Sequence, residues 1–111
     1  METFKQDMEE TPVVFRRERD GDITAVFPCD VASIQDYTMG CYAHIGQHSG
    51  CSFEWYYTTK AAKPEEYVDL KHELESAPYG YRLKVYKRIT RGLRDRYLTY
   101  RHELMRIDNA A

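Results

Sequence analysis

The chain has 111 residues, enough for one domain with a modest core that needs neither a disulfide framework nor a metal. Its three cysteines, an odd number, suit free thiols in a reducing compartment, and no apolar run is long enough to span a bilayer. The net charge of −2 hides an asymmetry: residues 1–81 hold 7 Lys/Arg against 15 Asp/Glu, a net of −8, whereas residues 82–111 hold 9 against 3, a net of +6. Such a split marks either a basic element that packs beside an acidic body or one that meets an acidic partner, nucleic acid included.

Residues 1–11 are acidic, polar and without an apolar stretch, so they read as a disordered tail and not as a signal peptide. Residues 12–111 then form the single domain, and the expected location is the cytoplasm. The first ordered stretch, PVVFRRERDGDITAVFP, holds two extended runs around Asp20-Gly21, a strong hairpin signal. A two-residue loop would set Ile23, Ala25 and Phe27 opposite Glu18, Arg16 and Val14. A three-residue loop, Arg19-Asp20-Gly21, sets them opposite Arg17, Phe15 and Val13. Only the second gathers Val13, Phe15, Ile23, Ala25 and Phe27 on one face, with Gly21 in the left-handed position of the bulged turn.

Pro28 is expected to end the second strand, and residues 29–40 to be an irregular connection. CYAHIG reads as a third strand, QHSG as a turn, and CSFEWYYTT, rich in aromatics and Thr, as a fourth strand at an edge. KPEEYVDLKHELES is the clearest helix. Pro64 fits its first position, Glu65 and Glu66 its positive end, and Tyr67, Leu70 and Leu74 make one apolar stripe. Pro78 and Gly80 stop it. YRLKVYKRI reads as a strand that returns to the sheet. Thr90 caps a last helix over 91–107, whose stripe is Leu93, Tyr97, Tyr100, Leu104 and Ile107. The order predicts an α+β domain: a mainly antiparallel sheet built from an N-terminal hairpin and two or three further strands, with two helices packed on one face.

Three patterns bear on function. Cys41, His44, His48 and Cys51 are ligand types that zinc takes in tetrahedral sites. Four ligands within eleven residues would need a tight knuckle, and in a strand Cys41 and His44 point to opposite faces. The alternative is that the cysteines pack as small apolar groups and the histidines make hydrogen bonds. The same residues allow a Cys–His nucleophile pair, but no nucleophile elbow, phosphate-cradling loop or orienting third group accompanies it, so the expectation is binding and not catalysis.

The second pattern is the basic segment 82–106. Arg88, Arg91, Arg94 and Arg101, with Tyr97 and Tyr100 among them, are the residue types that take phosphates and stack on bases. Against that, a charged helix face is usually solvated, Tyr97 and Tyr100 also fit the apolar stripe, and the sequence pI is about 6.1. The third pattern is FEWYYTT, where Trp55, Tyr56 and Tyr57 form a candidate set of protein-interface anchors. The ten tyrosines of the chain add to that reading.

VFRRERDGDITAVFP, HIGQH, KPEEYVDLKHELES and LKVYKR together resemble a family of small proteins encoded by phages and integrative elements of gut Bacteroidales. The similarity runs over residues 12 to 88. Ser49 stands where the family pattern has Gly, and the two flanking cysteines are not part of that pattern. The resemblance implies a bacterial cytosol and genes carried on mobile DNA. It brings no catalytic or ligand-binding residue to this chain. The resulting expectation is a small non-enzymatic binding protein of a phage or mobile element whose partner is another protein. Nucleic-acid binding through 82–106 and a zinc-stabilised module at Cys41–Cys51 are the alternatives.

Overall fold

The computed structural model describes residues 10–43 and 48–110. The chain runs β1 (Thr11–Arg17), β2 (Ile23–Ser33), β3 (Thr38–Tyr42), β4 (His48–Ser52), α1 (Phe53–Tyr57), β5 (Lys60–Ala61), α2 (Pro64–Glu75), β6 (Leu83–Tyr86) and α3 (Arg91–Ala110). The six strands form one sheet in the order β4-β3-β2-β1-β5, with β6 also on β1. β1 shares its outer edge between two partners: β6 runs parallel along Thr11–Val14, and β5 runs antiparallel along Arg16–Arg17. All other pairings are antiparallel. The domain is α+β, as the sequence predicts. Its first strand begins at Thr11, whose N–H donates to the Arg82 carbonyl at 2.6 Å, so Thr11 belongs to the sheet, while residues 1–9 of the expected tail lie outside the described residues.

The hairpin has the predicted register, with Arg17 opposite Ile23, Phe15 opposite Ala25 and Val14 opposite Val26. The Glu18 N–H donates to the Asp22 carbonyl at 2.8 Å and closes the three-residue loop. Gly21, at φ 97°, takes a backbone conformation that a side chain would oppose. Beyond it β2 does not stop at Pro28. The register to β3 shifts between Phe27 and Val31 and again between Val31 and Ser33, so the strand bulges past the proline and continues to Ser33. A bulge absorbs a residue that has no N–H to give, which is why Pro28 punctuates the ladder without ending it. β3 therefore starts earlier than expected, at Thr38, and His48–Gly50, expected as a turn, are ladder residues of β4.

The run after Ser52 is a second correction. Phe53–Tyr57 is helical, not a strand. Ser52 caps it, accepting from the Trp55 N–H at 3.0 Å, and Phe53 and Tyr56, three apart, bury together against the sheet. Aromatic strand propensity yields to a cap followed by an i, i+3 apolar pair. α2 begins as expected, with Pro64 in the first turn and the Lys63 N–H donating to Glu66 Oε1 at 2.8 Å. At the start of α3 the Leu93 N–H donates to Thr90 Oγ1 at 3.2 Å, the expected cap.

The helices do not share one face. Leu70 and Leu74 of α2 pack on Val13, Phe15, Ala25, Phe27 and Tyr42, with Tyr67 stacked on Phe15 at 4.2 Å. Phe53 and Tyr56 of α1 and Tyr97 of α3 pack on the opposite face, against Val14, Val26, Met39, Cys41 and Cys51. A sheet covered on both sides explains why five consecutive residues of β1, Pro12 to Arg16, are all buried instead of alternating. Burying a leucine such as Leu74 or a β-branched residue such as Val13 contributes about 1.5–3 kcal/mol each, and both sides of the sheet draw on it.

Candidate functional site

The face bearing α1 and α3 carries most of the residues that the sequence singles out. Arg16, between buried Phe15 and exposed Arg17 on β1, points into it and is only 8% exposed. Its guanidinium donates to Thr59 Oγ1 and to the Thr59 carbonyl, both at 2.8 Å, and reaches the Lys87 carbonyl at 3.4 Å while lying 4.2 Å over the Tyr56 ring. A buried cation is tolerated when its donors are met and a ring face lies beneath it. Arg16 thus ties the end of α1 to the turn before α3. Tyr56 is buried with it and accepts the Ile89 N–H at 2.8 Å on its hydroxyl.

Tyr97 is the centre of this layer. Its ring meets Tyr37 at 5.7 Å and Phe53 at 5.2 Å, and its hydroxyl donates to the Thr38 carbonyl at 2.8 Å. Burial raises its phenol pKa. Arg101 is half-buried: Nε and Nη2 donate to the Ile34 carbonyl at 3.0 and 2.7 Å, and the guanidinium lies 4.5 Å over Tyr37. Tyr97 and Arg101 are therefore held by contacts within the fold. Tyr100 and Ile107, placed by sequence on the buried stripe, are 47% and 57% exposed. Leu104 of that stripe does face inward, and Arg101 and Met105 join it on the inward side of the distal helix in place of Tyr100 and Ile107. A polar guanidinium that satisfies a loop carbonyl has replaced an apolar contact there.

What remains on the surface is a compact set. Tyr57, 68% exposed, presents its ring at the end of α1. Arg94 lies 4.9 Å over the Phe53 ring and reaches the Tyr57 hydroxyl at 3.4 Å. Arg91 and Leu98 flank Arg94 at spacings of three and four on the same side of α3, and both are exposed. Trp55 is half-buried against the core beneath, and Arg88 is exposed in the turn before α3. Of the anchor trio, Tyr56 is core, Trp55 is intermediate and Tyr57 is surface. Arg94 could be placed next to Tyr57 only by the tertiary fold.

The Cys/His block divides between the two sides of the sheet. Cys41 pairs across with Ser49, and Cys51 with Met39, so both thiols lie on the face bearing α1 and α3. His48 pairs with Tyr42 and belongs to the other face, its ring 4.6 Å from Tyr42 and 5.5 Å from Tyr79. His44 lies outside the described residues. Among the described residues no three His, Cys, Asp or Glu side chains converge on one point, so Cys41, His48 and Cys51 do not form a joint ligand set. The odd spacing from Cys41 to His48 already places them on opposite sides of a paired ladder, and the strand pairing makes that binding.

The two cysteines form a pair. The Cys51 thiol hydrogen-bonds the Cys41 sulfur, which is the largest influence lowering the Cys41 pKa from 9.0 to about 6; the Ser49 hydroxyl, 3.2 Å from Cys41 Sγ, adds to it against the opposing effect of burial. The same contact, with burial, pushes Cys51 up. Both line a surface cavity of about 400 Å³ whose walls include Glu18, Thr24, Ser49 and Trp55. Cys29 stands apart, its thiol donating to the Leu93 carbonyl at 3.7 Å, with burial raising its pKa. Among the described residues no helix is long and apolar enough to cross a membrane. Compared with protein-family models, curated proteins and solved structures, the chain matches none.

Proposed function

We propose that the chain is a non-enzymatic binding protein that captures another protein through the face formed by Tyr57, Arg91, Arg94 and Leu98. One observation carries the reading: a tyrosine ring 68% exposed is held beside an arginine that is itself fixed over Phe53, with a second arginine and a leucine alongside. Tyr and Arg are the residue types that dominate interface energetics, and an anchor that is already positioned loses little freedom on binding. The face carries two guanidinium groups, so the partner surface that fits it is acidic and apolar in part. The resemblance to proteins of phages and integrative elements of gut Bacteroidales supplies the setting: a bacterial cytoplasm, and a partner drawn from the host or from the element.

Direct binding of nucleic acid is the competing reading. It is weakened by the use of Tyr97 and Arg101 inside the fold. The test is capture from a bacterial lysate by the immobilised chain, with and without nuclease, beside the Tyr57→Ser/Arg91→Glu variant. The proposal requires a defined protein that survives nuclease treatment and is lost with the variant. Retention that disappears with nuclease, or that ignores the variant, overturns it.

A further inference from the structure

The cysteine pair has a feature that the binding face does not use. Cys41 and Cys51 lie at diagonal positions of β3 and β4 on one face of the sheet, the Ser49 hydroxyl sits 3.2 Å from the Cys41 sulfur, and both cysteines border a cavity that opens to solvent. A cysteine that only fills a core does not need a second sulfur, an alcohol and open space beside it. Among the described residues β4 is the outermost strand at its end of the sheet, paired only to β3, so it can yield as the two sulfurs approach. We propose that Cys41 and Cys51 form a thiol–disulfide exchange site, in which Cys41 attacks a small-molecule disulfide and Cys51 resolves the product into a Cys41–Cys51 disulfide.

The steps balance without any further reagent. The Cys41 thiolate attacks one sulfur of the incoming disulfide; the new Cys41–sulfur bond forms as the reagent's own S–S bond breaks and the first small thiolate leaves. That thiolate takes the Cys51 proton. The Cys51 sulfur then attacks the Cys41 sulfur, the mixed disulfide breaks, and the second small thiolate leaves and takes up the proton that Cys41 gave to solvent. Two cysteine thiols are oxidised to one disulfide, and one small disulfide is reduced to two thiols. The order of attack follows from the contacts. Cys41 has the Ser49 hydroxyl 3.2 Å from its sulfur to support the thiolate, which makes it the better nucleophile, while the neighbouring Cys41 and burial hold the Cys51 proton in place until Cys41 is capped. Glu18 stands on the cavity wall and its charge acts on Cys41, so a disulfide carrying amino groups is received better than one carrying carboxylates.

The experiment uses the full chain with Cys29→Ser and cystamine as the probe. Intact mass should fall by two hydrogen atoms, and peptide mapping should join Cys41 to Cys51. With Cys51→Ser the reaction should stop at one cysteamine adduct on Cys41; with Cys41→Ser, adduct formation on Cys51 should be at least tenfold slower. Oxidised glutathione should react more slowly than cystamine, and Glu18→Gln should narrow that gap. Should Cys51→Ser fail to fold, the wild-type time course is sufficient, since the adduct on Cys41 must precede the disulfide. Adducts that accumulate on the wild type without closing, or that form equally on both cysteines, overturn the proposal.

Discussion

Tyr97 separates a structural tyrosine from a binding one, because Tyr100 sits one turn away on the same helix and has the opposite environment. Tyr97 is fully buried, touches two rings and donates a 2.8 Å hydrogen bond to the Thr38 carbonyl. Tyr97→Phe keeps the ring and removes only the hydroxyl, so the loss is that of one neutral hydrogen bond, about 1 kcal/mol. Tyr97→Ala also opens a cavity among Tyr37, Phe53 and Met39 and costs about 3–5 kcal/mol. For a domain of this size, each kcal/mol moves the melting temperature by roughly 4 °C, so the drops are about 4 °C and roughly 12–20 °C. Tyr100→Ala, at a position 47% exposed, changes stability by less than about 0.5 kcal/mol. The assay is urea unfolding followed by circular dichroism, with thermal melts alongside. A Tyr97→Ala variant that loses less than about 1 kcal/mol, or a Tyr100→Ala variant that loses as much, would falsify the packing described for α3.

Other expectations follow from the sheet and the thiols. Gly40 lies under the Asp30 side chain, and a Cβ there would fall 2.0 Å from Asp30 Oδ2. Gly40→Ala should therefore destabilise by about 1–3 kcal/mol, and Asp30→Ala should recover most of it; two additive losses in the urea cycle would contradict the overlap. Because Cys41 titrates near 6 when folded against 9.0 ordinarily, the unfolded chain binds the extra proton between those values, and stability should rise with pH from about 6 to 9. Above that range the unfolded chain loses both thiol protons while the folded one keeps that of Cys51, so stability should fall again. The urea midpoint of wild type minus that of Cys41→Ala, read across pH, should trace this rise and fall; a flat difference refutes it. Chelation should leave the melting temperature unchanged, since the cysteines and His48 face opposite ways; a marked drop in chelator would show a metal site that this geometry does not account for. Gly21→Ala should cost about 1–2 kcal/mol, because the turn holds φ at 97°, and hydrogen exchange should show the loss first at the amides of Glu18 and of residue 21 itself.

The features that could be read without the fold are those decided by residues a few positions apart. The hairpin register follows from the alternation of Val13, Phe15, Ala25 and Phe27 and the freedom of Gly21. α2 follows from Pro64, the two glutamates and the Leu70–Leu74 spacing, and the start of α3 from Thr90. Each rests on a local rule of turns, caps or periodicity, which holds in any surroundings. Phe53–Tyr57 shows where local rules conflict: a five-residue run with four aromatics that favour strands became a helix because Ser52 could cap it and Phe53 with Tyr56 could bury. The candidate sites were legible as residue types and not as places. That Arg16 and Arg101 are internal while Arg91 is not depends on which side of the sheet the helices lie, and that is set by chain crossovers far from each residue in sequence. Likewise Cys41 and Cys51 are ten residues apart in sequence and adjacent in space, whereas His48 is closer in sequence and faces away. Sequence spacing sets parity along a strand; only the pairing of β3 with β4 and the covering of both faces turns parity into contact.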